Sequence, residues 1–395
     1  MLLNKLINKK NLTVIGLNSG TSADGLDLAA VRFNRASKTS GIKFIGGKTV
    51  RYPDDLSTLI NEAINDKLKS IDKLIELDRR LGFFYGTHAS KFCESLKKNG
   101  HYPDLIASHG QTVRHLPGKV IIRRSGESAT LQLGHPETIA DNTGLITVAD
   151  FRQADIASGG EGAPITSWAM WRLFNSKSEN RMMLNIGGIA NFFLLPKNKP
   201  AEKMMAADCG PGNSLIDILS LWFFGKRFDR GGKIASGGKI SFRLLSVLLA
   251  DNFLKGKYGP STGRERFGEK FAKKIVQLGT ELGMKKKDIL ATATELTAVG
   301  IANAINKIPK YDEIKNIYLL GGGTANRFLI SRLEANLPAI KFSPVNRLGF
   351  DSNYLEAACY AVMGARTIAG LTSSLGHITG SEKNCISGRI IQPSL

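Results

Sequence analysis

The feature that most constrains this chain is a recurrence. A short apolar run, Thr13 to Leu17, enters a glycine-rich stretch and is answered by a second strand-like run, Leu28 to Phe33. The pattern restarts in mid-chain, where Met182 to Ile186 runs into Gly187-Gly188 and returns through Asn191 to Leu195. Short apolar runs punctuated by Gly and Asn read as strands paired in hairpins. Two halves that each open on a hairpin predict a duplicated α/β fold of two domains, with a cleft between them for ligands. The 395 residues are enough for two domains with a core each. The boundary is expected near residues 165–180, giving domains 1–175 and 176–395, with the C-terminal helices available to pack back on the first.

The remaining pattern agrees with an α/β class, because strand-like and helix-like stretches alternate. Leu74, Leu77, Leu81 and Phe84 recur at helical spacing and predict a helix over 71–88. Asp104 to Ala107 and Ile146 to Ala149 read as buried strands that run directly into His109 and Asp150. In the second half, Phe267, Phe271, Ile275, Leu278 and Leu282 form a helical stripe. Asp288 is placed to cap a following helix that ends near Asn306, and Ile317 to Leu320 is a strand leading into Gly321-Gly322-Gly323.

Composition removes several classes. Hydrophobic residues make up 42% and charged residues 22%, the ordinary globular range. No apolar run reaches the ~18 residues of a membrane helix, and the basic N-terminus has no signal-peptide core behind it. Cys93, Cys209, Cys359 and Cys385 are far apart with no C-x-x-C pair, which fits a reducing cytoplasm. The net charge of +20 is spread out and lacks aromatic interleaving. It reads as a solvated basic surface able to steer an anionic substrate, so no nucleic-acid and no membrane partner is expected; a nucleic-acid face is the alternative that charge alone suggests.

The densest chemistry lies in Gly16-Leu-Asn-Ser-Gly-Thr-Ser-Ala-Asp-Gly-Leu-Asp27. Glycines let backbone N–H groups approach an anion, Thr21 and Ser22 add hydroxyl donors, and Asp24 and Asp27 are acceptors for a hard cation. A tight polar hairpin turn would have the same composition. Similar turns occur at Asn185 to Asn191, Asp208 to Asn213 and Gly321 to Asn326. There is no P-loop motif, and no dinucleotide fingerprint opens a βαβ unit. Several separate strand-end glycine turns suit a nucleotide clamped between two domains. Asp208 is the general-base candidate, with a helix-capping Asp as the other reading and Pro211 leading that helix. Ser108-His-Gly-Gln-Thr-Val-Arg-His115 and Asp150-Phe-Arg152 offer groups suited to a polyhydroxylated ligand.

Taken together these segments resemble the anhydro-N-acetylmuramic acid kinase family of the actin, hexokinase and sugar-kinase superfamily. The resemblance runs from about Gly16 to the C-terminus. It is carried in order by Gly20 to Gly25, Ser108 to His115, Ala149 to Arg152, Gly162 to Pro164, Leu184 to Asn191, Gly210 to Asn213, Ser261 to Glu265, Glu295 to Ala298, Gly321 to Gly323 and Glu356-Ala357. It implies an actin/hexokinase-like, ribonuclease H-like fold and a cytoplasmic homodimeric enzyme. The implied reaction uses ATP and Mg²⁺ to phosphorylate a sugar O6 while water opens its 1,6-anhydro bridge. By the same pattern Asp208 activates the water. Gly20, Thr21, Ser22, Ala23, Asp24, Gly25, Leu26 and Asp27 hold the ATP phosphates, with Gly187, Gly188, Asn191, Gly210, Gly212, Asn213, Gly322 and Gly323 on the nucleotide. Asp24 and Glu356 organise the metal, and His109, Gln111, Asp150 and Arg152 orient the anhydrosugar.

The chain departs from the family's pattern in places. Cys209 stands where Thr is usual, Asn18 where Met is usual, and His135 where Asp or Asn is commoner. Phe228 to Lys233 matches an acidic family segment only loosely, and Arg327 stands where Pro usually follows Asn326. The alternatives are therefore a kinase for levoglucosan or another 1,6-anhydrosugar, and a nucleotide-binding regulator without catalysis.

Overall fold

The computed structural model describes residues 2–20, 23–34, 41–122, 125–255, 262–263, 266–309 and 313–394. The chain divides into two compact units, Met1–Leu173 with Gly349–Leu395, and Phe174–Leu348.

The first unit is built on strands β1 (Asn11–Ser19), β2 (Gly25–Asn34), β3 (Ile42–Arg51), β4 (Leu105–Ile122), β5 (Ser125–Leu133) and β6 (Thr147–Ala149). The C-terminal strand Arg389–Ile391 joins them, and the order is Arg389–Ile391, β6, β4, β1, β2, β3, with β5 on β4. β1 pairs antiparallel with β2 and parallel with β4. It lies in mid-sheet with both faces covered, so Leu12, Val14, Ile15 and Leu17 are all fully buried.

Successive residues of β1 face opposite sides. Ile15 and Leu17 join the core that includes Leu77, Leu81, Tyr85 and Phe92 of helix Ile71–Lys98. That helix is capped by Ser70, whose side chain accepts from the Lys73 N–H. It runs ten residues beyond the stretch expected from sequence, because Ala89, Phe92, Cys93 and Leu96 continue the buried stripe. On the other face, Gly16 meets helix Leu355–Ile368. A Cβ at Gly16 would sit 1.7 Å from the Ala357 carbonyl oxygen, and one at Gly364 would sit 2.7 Å from the Ala107 Cβ. The helix therefore lies on β1 and β4 at backbone contact. It is buried almost all round, as an element with no polar face must be.

The second unit has strands β7 (Arg181–Ile186), β8 (Ile189–Leu195), β9 (Met205–Pro211), β10 (Asn316–Leu320) and β11 (Lys341–Pro344), in the order β11-β10-β7-β8-β9. β7, β8 and β9 are antiparallel neighbours, while β10 pairs parallel with β7 and β11 with β10. Each unit thus has a first strand with two antiparallel strands on one side and parallel strands on the other. This is the ribonuclease H-like arrangement, present twice, as in the actin/hexokinase-like fold.

Two details differ from the sequence reading. Pro211 ends β9 and does not open a helix; the helix is Ser214–Phe224, with Asn213 at its N-cap. Asp208 lies inside β9 and so caps nothing. Asp288 is not a cap either, since helix Lys286–Asn306 starts from Lys285. The Asp288 carboxylate instead accepts the Lys239 N–H at 2.7 Å, which fastens the loop ahead of helix Phe242–Leu249.

Helix Lys286–Asn306 runs through the core of the second unit. Its buried Glu295 receives Arg332 Nε at 2.5 Å, Arg332 Nη2 at 3.1 Å and Asn336 Nδ2 at 3.0 Å. A buried carboxylate deprived of its cation is costly. Arg332→Met is expected to destabilise the protein by about 3 kcal/mol, read as a lower denaturant midpoint. An unchanged midpoint would mean that the pair contributes nothing. Among the described residues no helix is long and apolar enough to cross a membrane.

Candidate active site

In the first unit the β1–β2 hairpin brings Asn18 opposite Asp27. Ala23 adopts a positive φ of 52° in the turn, a conformation an L-residue holds only when its surroundings impose it. Gly20, Ala23, Asp24, Gly25, Leu26 and Asp27 are placed in or beside this turn. Thr21 and Ser22 lie outside the described residues, as do Ser261, Arg264 and Glu265.

Helix Leu355–Ile368 delivers Glu356 to the same place. Asn18 Nδ2 donates to Glu356 Oε2 at 2.8 Å, and Asp24 and Glu356 are both exposed. Burial, and then the Asp24 and Glu356 charges, push Asp27 above the usual carboxylate range, against the pull of the Thr49 hydroxyl that donates to it at 2.5 Å. Three carboxylates that feel one another suit a cation. Among the described residues, however, no group of three or more His, Cys, Asp or Glu could hold a metal by itself. That donor set fits Mg²⁺, which usually takes one or two carboxylates and completes its shell with water and phosphate oxygens. The Asn18–Glu356 contact spans 338 residues of sequence, so no local signal could have revealed it.

A second cluster gathers where β6 ends, beside the first half of β4. Arg152 Nε donates to His109 Nε2 at 3.0 Å, and Arg152 Nη1 donates to the Gly162 carbonyl at 3.2 Å. The His109 ring stacks on Tyr360 at 4.5 Å between centroids, one helical turn after Glu356. Since its Nε2 accepts, a neutral His109 carries its proton on Nδ1, a buried atom with no hydrogen-bond partner. Asp150 holds a positive φ of 60° and pairs with Arg389 at 3.0 Å. Gln111, two residues beyond His109 along β4, is fully buried. Its Oε1 accepts from Ser19 Oγ at 2.5 Å and its Nε2 donates to the Gly20 carbonyl at 3.3 Å.

Burial, and then the Arg152 charge, hold His109 well below its ordinary pKa. It stays neutral in the fold, whereas the unfolded chain protonates it below about 6.5. The stability it contributes is therefore complete above that pH and is lost as pH falls. The thermal midpoint of the protein is expected to drop more steeply below about pH 6.5 than that of His109→Asn. Parallel pH profiles would refute the assignment.

In the second unit, three glycine turns converge at one end of the sheet. Gly212, Asn213 and Ser214 donate their N–H groups to the Gly188, Gly187 and Gly188 carbonyls at 2.9, 2.7 and 3.1 Å. Gly212 is irreplaceable there, since a Cβ would meet the Gly187 oxygen at 2.3 Å. Thr297 of the central helix donates to the Gly212 carbonyl at 3.2 Å. Gly321, with φ 79°, closes against Asn185 and Ile186, Gly323 packs on Ile186, and Gly322 faces open space. Two of these turns follow the parallel strands β7 and β10, at the sheet end where α/β folds bind ligands, and the third ends β9.

Asp208 sits in β9 opposite Asn191, at a bulge between Ala190 and Asn191. Bulges beside a site re-aim side chains. Asp208 Oδ2 accepts the Thr262 N–H at 2.7 Å. Its neighbour Cys209 points the other way into the apolar core, where burial raises its thiol pKa. One other departure has a structural partner, since His135 Nδ1 accepts the Thr138 N–H as an N-cap; Arg327, where Pro is usual, is the first residue of helix Arg327–Asn336, which Asn326 caps.

The comparisons with known proteins agree over the length of the chain. The family model described as anhydro-N-acetylmuramic acid kinase matches residues 12–393. A protein of that name from Caldanaerobacter subterraneus subsp. tengcongensis is 34% identical over 392 residues, 98% of each chain. One from Pseudoalteromonas translucida is 35% identical over 93% of each chain. One from Coxiella burnetii is 36% identical over 95% of this chain and 96% of its own. On a family match of this extent and relatives this similar from end to end, the chain belongs to the anhydro-N-acetylmuramic acid kinase family.

Proposed function

We propose that this protein is an ATP-dependent kinase that opens the 1,6-anhydro bridge of anhydro-N-acetylmuramic acid and phosphorylates O6. The product is N-acetylmuramic acid 6-phosphate, made in the recycling of cell wall. The observation that carries the reading is the family match along nearly the whole chain, with Asp208 set in a strand and held by a backbone N–H.

Asp208 takes a proton from water, and the water oxygen bonds to C1. The C1–O6 bond breaks, O6 bonds to the γ-phosphorus of ATP, and ADP leaves. Residues 20–27 receive the ATP phosphates, and the glycine turns at 187–188, 210–213 and 322–323, with Asn191, receive the nucleotide. Asp24 and Glu356 would hold Mg²⁺, which would supply positive charge to the phosphates. Asn18 holds one Glu356 oxygen and leaves the other for the metal shell. Arg152, fixed by His109 and the Gly162 carbonyl, orients the sugar, with Asp150 beside it. The enzyme acts in the cytoplasm as a homodimer, and its four cysteines are buried free thiols.

The family match favours the muramic substrate over levoglucosan, and two of the departures do not count against it. Cys209 faces the core and Asn18 serves Glu356, so neither alters the groups assigned to the sugar. The test is ADP release with ATP, Mg²⁺ and either sugar. Turnover of the muramic compound alone is expected. Turnover of levoglucosan alone would move the chain to that specificity, and ATP binding with no turnover of either would leave a regulator.

A further inference from the structure

Four buried side chains from four elements form one hydrogen-bonded line beneath the β1–β2 turn. Tyr85 lies in helix Ile71–Lys98, Tyr52 follows β3, Ser19 ends β1, and Gln111 lies in β4. All four are buried, Tyr85 and Gln111 fully. The Tyr85 and Tyr52 hydroxyls are 2.7 Å apart, and Tyr52 donates to Ser19 Oγ at 2.7 Å.

Counting protons gives the line a direction. Tyr52 has one hydroxyl proton and gives it to Ser19, so Tyr85 donates to Tyr52. Ser19 donates to Gln111 Oε1 at 2.5 Å, with the Gly25 carbonyl a second acceptor at 3.1 Å. The Gln111 amide must present its NH₂ to the Gly20 and Thr112 carbonyls, 3.3 and 3.2 Å away, which settles which end is which. The Gly20 carbonyl also accepts the Ala23 N–H at 3.2 Å. Both mouths of the turn are thus tied down, Gly20 by Gln111 and Gly25 by Ser19. A register shift between Leu17 and Ser19 puts Ser19 opposite Gln111.

We infer that Tyr85, Tyr52, Ser19 and Gln111 are positioning residues for the nucleotide-phosphate turn, and that Gln111 acts on that turn and not on the sugar. The inference rests on the nucleotide role proposed for residues 20–27. It follows from engagement and burial together: both N–H donors of the Gln111 amide go to Gly20 and Thr112, its oxygen accepts from Ser19, and a fully buried side chain presents no surface at which a sugar hydroxyl could reach the oxygen's remaining lone pair. The phenols keep their protons, since burial first of all raises Tyr52 to about 12 and Tyr85 well above its usual value.

The test is the affinity for Mg·ATP, measured by calorimetry without sugar on the whole protein, together with the KM for the anhydrosugar. Both variants keep side-chain volume. Gln111→Met is expected to weaken ATP binding about tenfold and Tyr85→Phe about threefold. The double variant is expected to stay near Gln111→Met at about tenfold, because Tyr85 reaches Gly20 only through Gln111 and otherwise touches the turn only through the longer Ser19–Gly25 contact of 3.1 Å. The sugar KM stays unchanged in each. Additive losses of about thirtyfold in the double variant would overturn the inference, as would a raised sugar KM with unchanged ATP affinity. If Gln111→Met does not fold, Tyr52→Phe breaks the line in the middle and carries the same expectation. A wild type that binds no ATP would remove the nucleotide reading itself, whereas a wild type that binds it no better than the variants would remove only this inference.

Discussion

Asp208→Asn is expected to lower kcat by about a thousandfold, within the range that a general base contributes, with the fold intact. The substitution removes the proton acceptor and keeps the size of the side chain. The Thr262 N–H now reaches Asp208 Oδ2 at 2.7 Å, and an Asn carbonyl oxygen can accept the same bond. The amide NH₂ then stands where a basic oxygen is needed, and water keeps its proton. Substrate KM changes little, because the lost interaction belongs to the transition state. Steady-state ADP release, with a thermal midpoint to confirm folding, measures both. A variant retaining a tenth or more of wild-type kcat would show that Asp208 is not the base.

Gly16→Ala is expected to be the most disruptive single-methyl change in the protein. The new Cβ would meet the Ala357 carbonyl oxygen at 1.7 Å, the Ala357 carbonyl carbon at 2.7 Å and the Ala361 nitrogen at 2.9 Å. All three are backbone atoms, so no rotamer change relieves the clash and helix Leu355–Ile368 must move off the sheet. The cost is expected to exceed about 3 kcal/mol, a fall in midpoint of roughly 6–12 °C. Activity falls with it, because the same helix carries Glu356 to Asn18 and Tyr360 to His109. Gly46→Ala is the control: a Cβ there meets nothing within 4 Å, and the midpoint should hold. Equal, small effects at both positions would contradict the backbone contact at Gly16.

Much of this was legible in the residues. β1, β2, β7 and β8 are apolar runs that end in Gly or Asn, and burial on both faces leaves such runs unbroken. The duplicated sheet followed from their recurrence. β3 was not legible, because Ile42–Arg51 is a half-exposed edge carrying Lys43, Lys48 and two glycines. β9 was hidden by its own chemistry, since Asp208, Gly210 and Pro211 read as a turn but are held in a strand by β8. Asp208 and the glycine turns could be named because their residue types announce themselves. What each partner does could not be. Asn18 reads as an unexplained substitution in the sequence and finds its partner in Glu356, and Gln111 reads as a sugar ligand while its bonds to Ser19 and Gly20 are visible only in the fold.

The central step is the activation of a water molecule that opens the anhydro bridge while O6 takes the phosphoryl group. One turnover of anhydro-N-acetylmuramic acid and ATP in ¹⁸O-labelled water, quenched and read by mass spectrometry, tests that step. One ADP per sugar opened, a single ¹⁸O at C1 and none in the phosphoryl group are expected. ADP formed with label in the phosphate, or a phosphorylated sugar that keeps its bridge and carries no label, would contradict it.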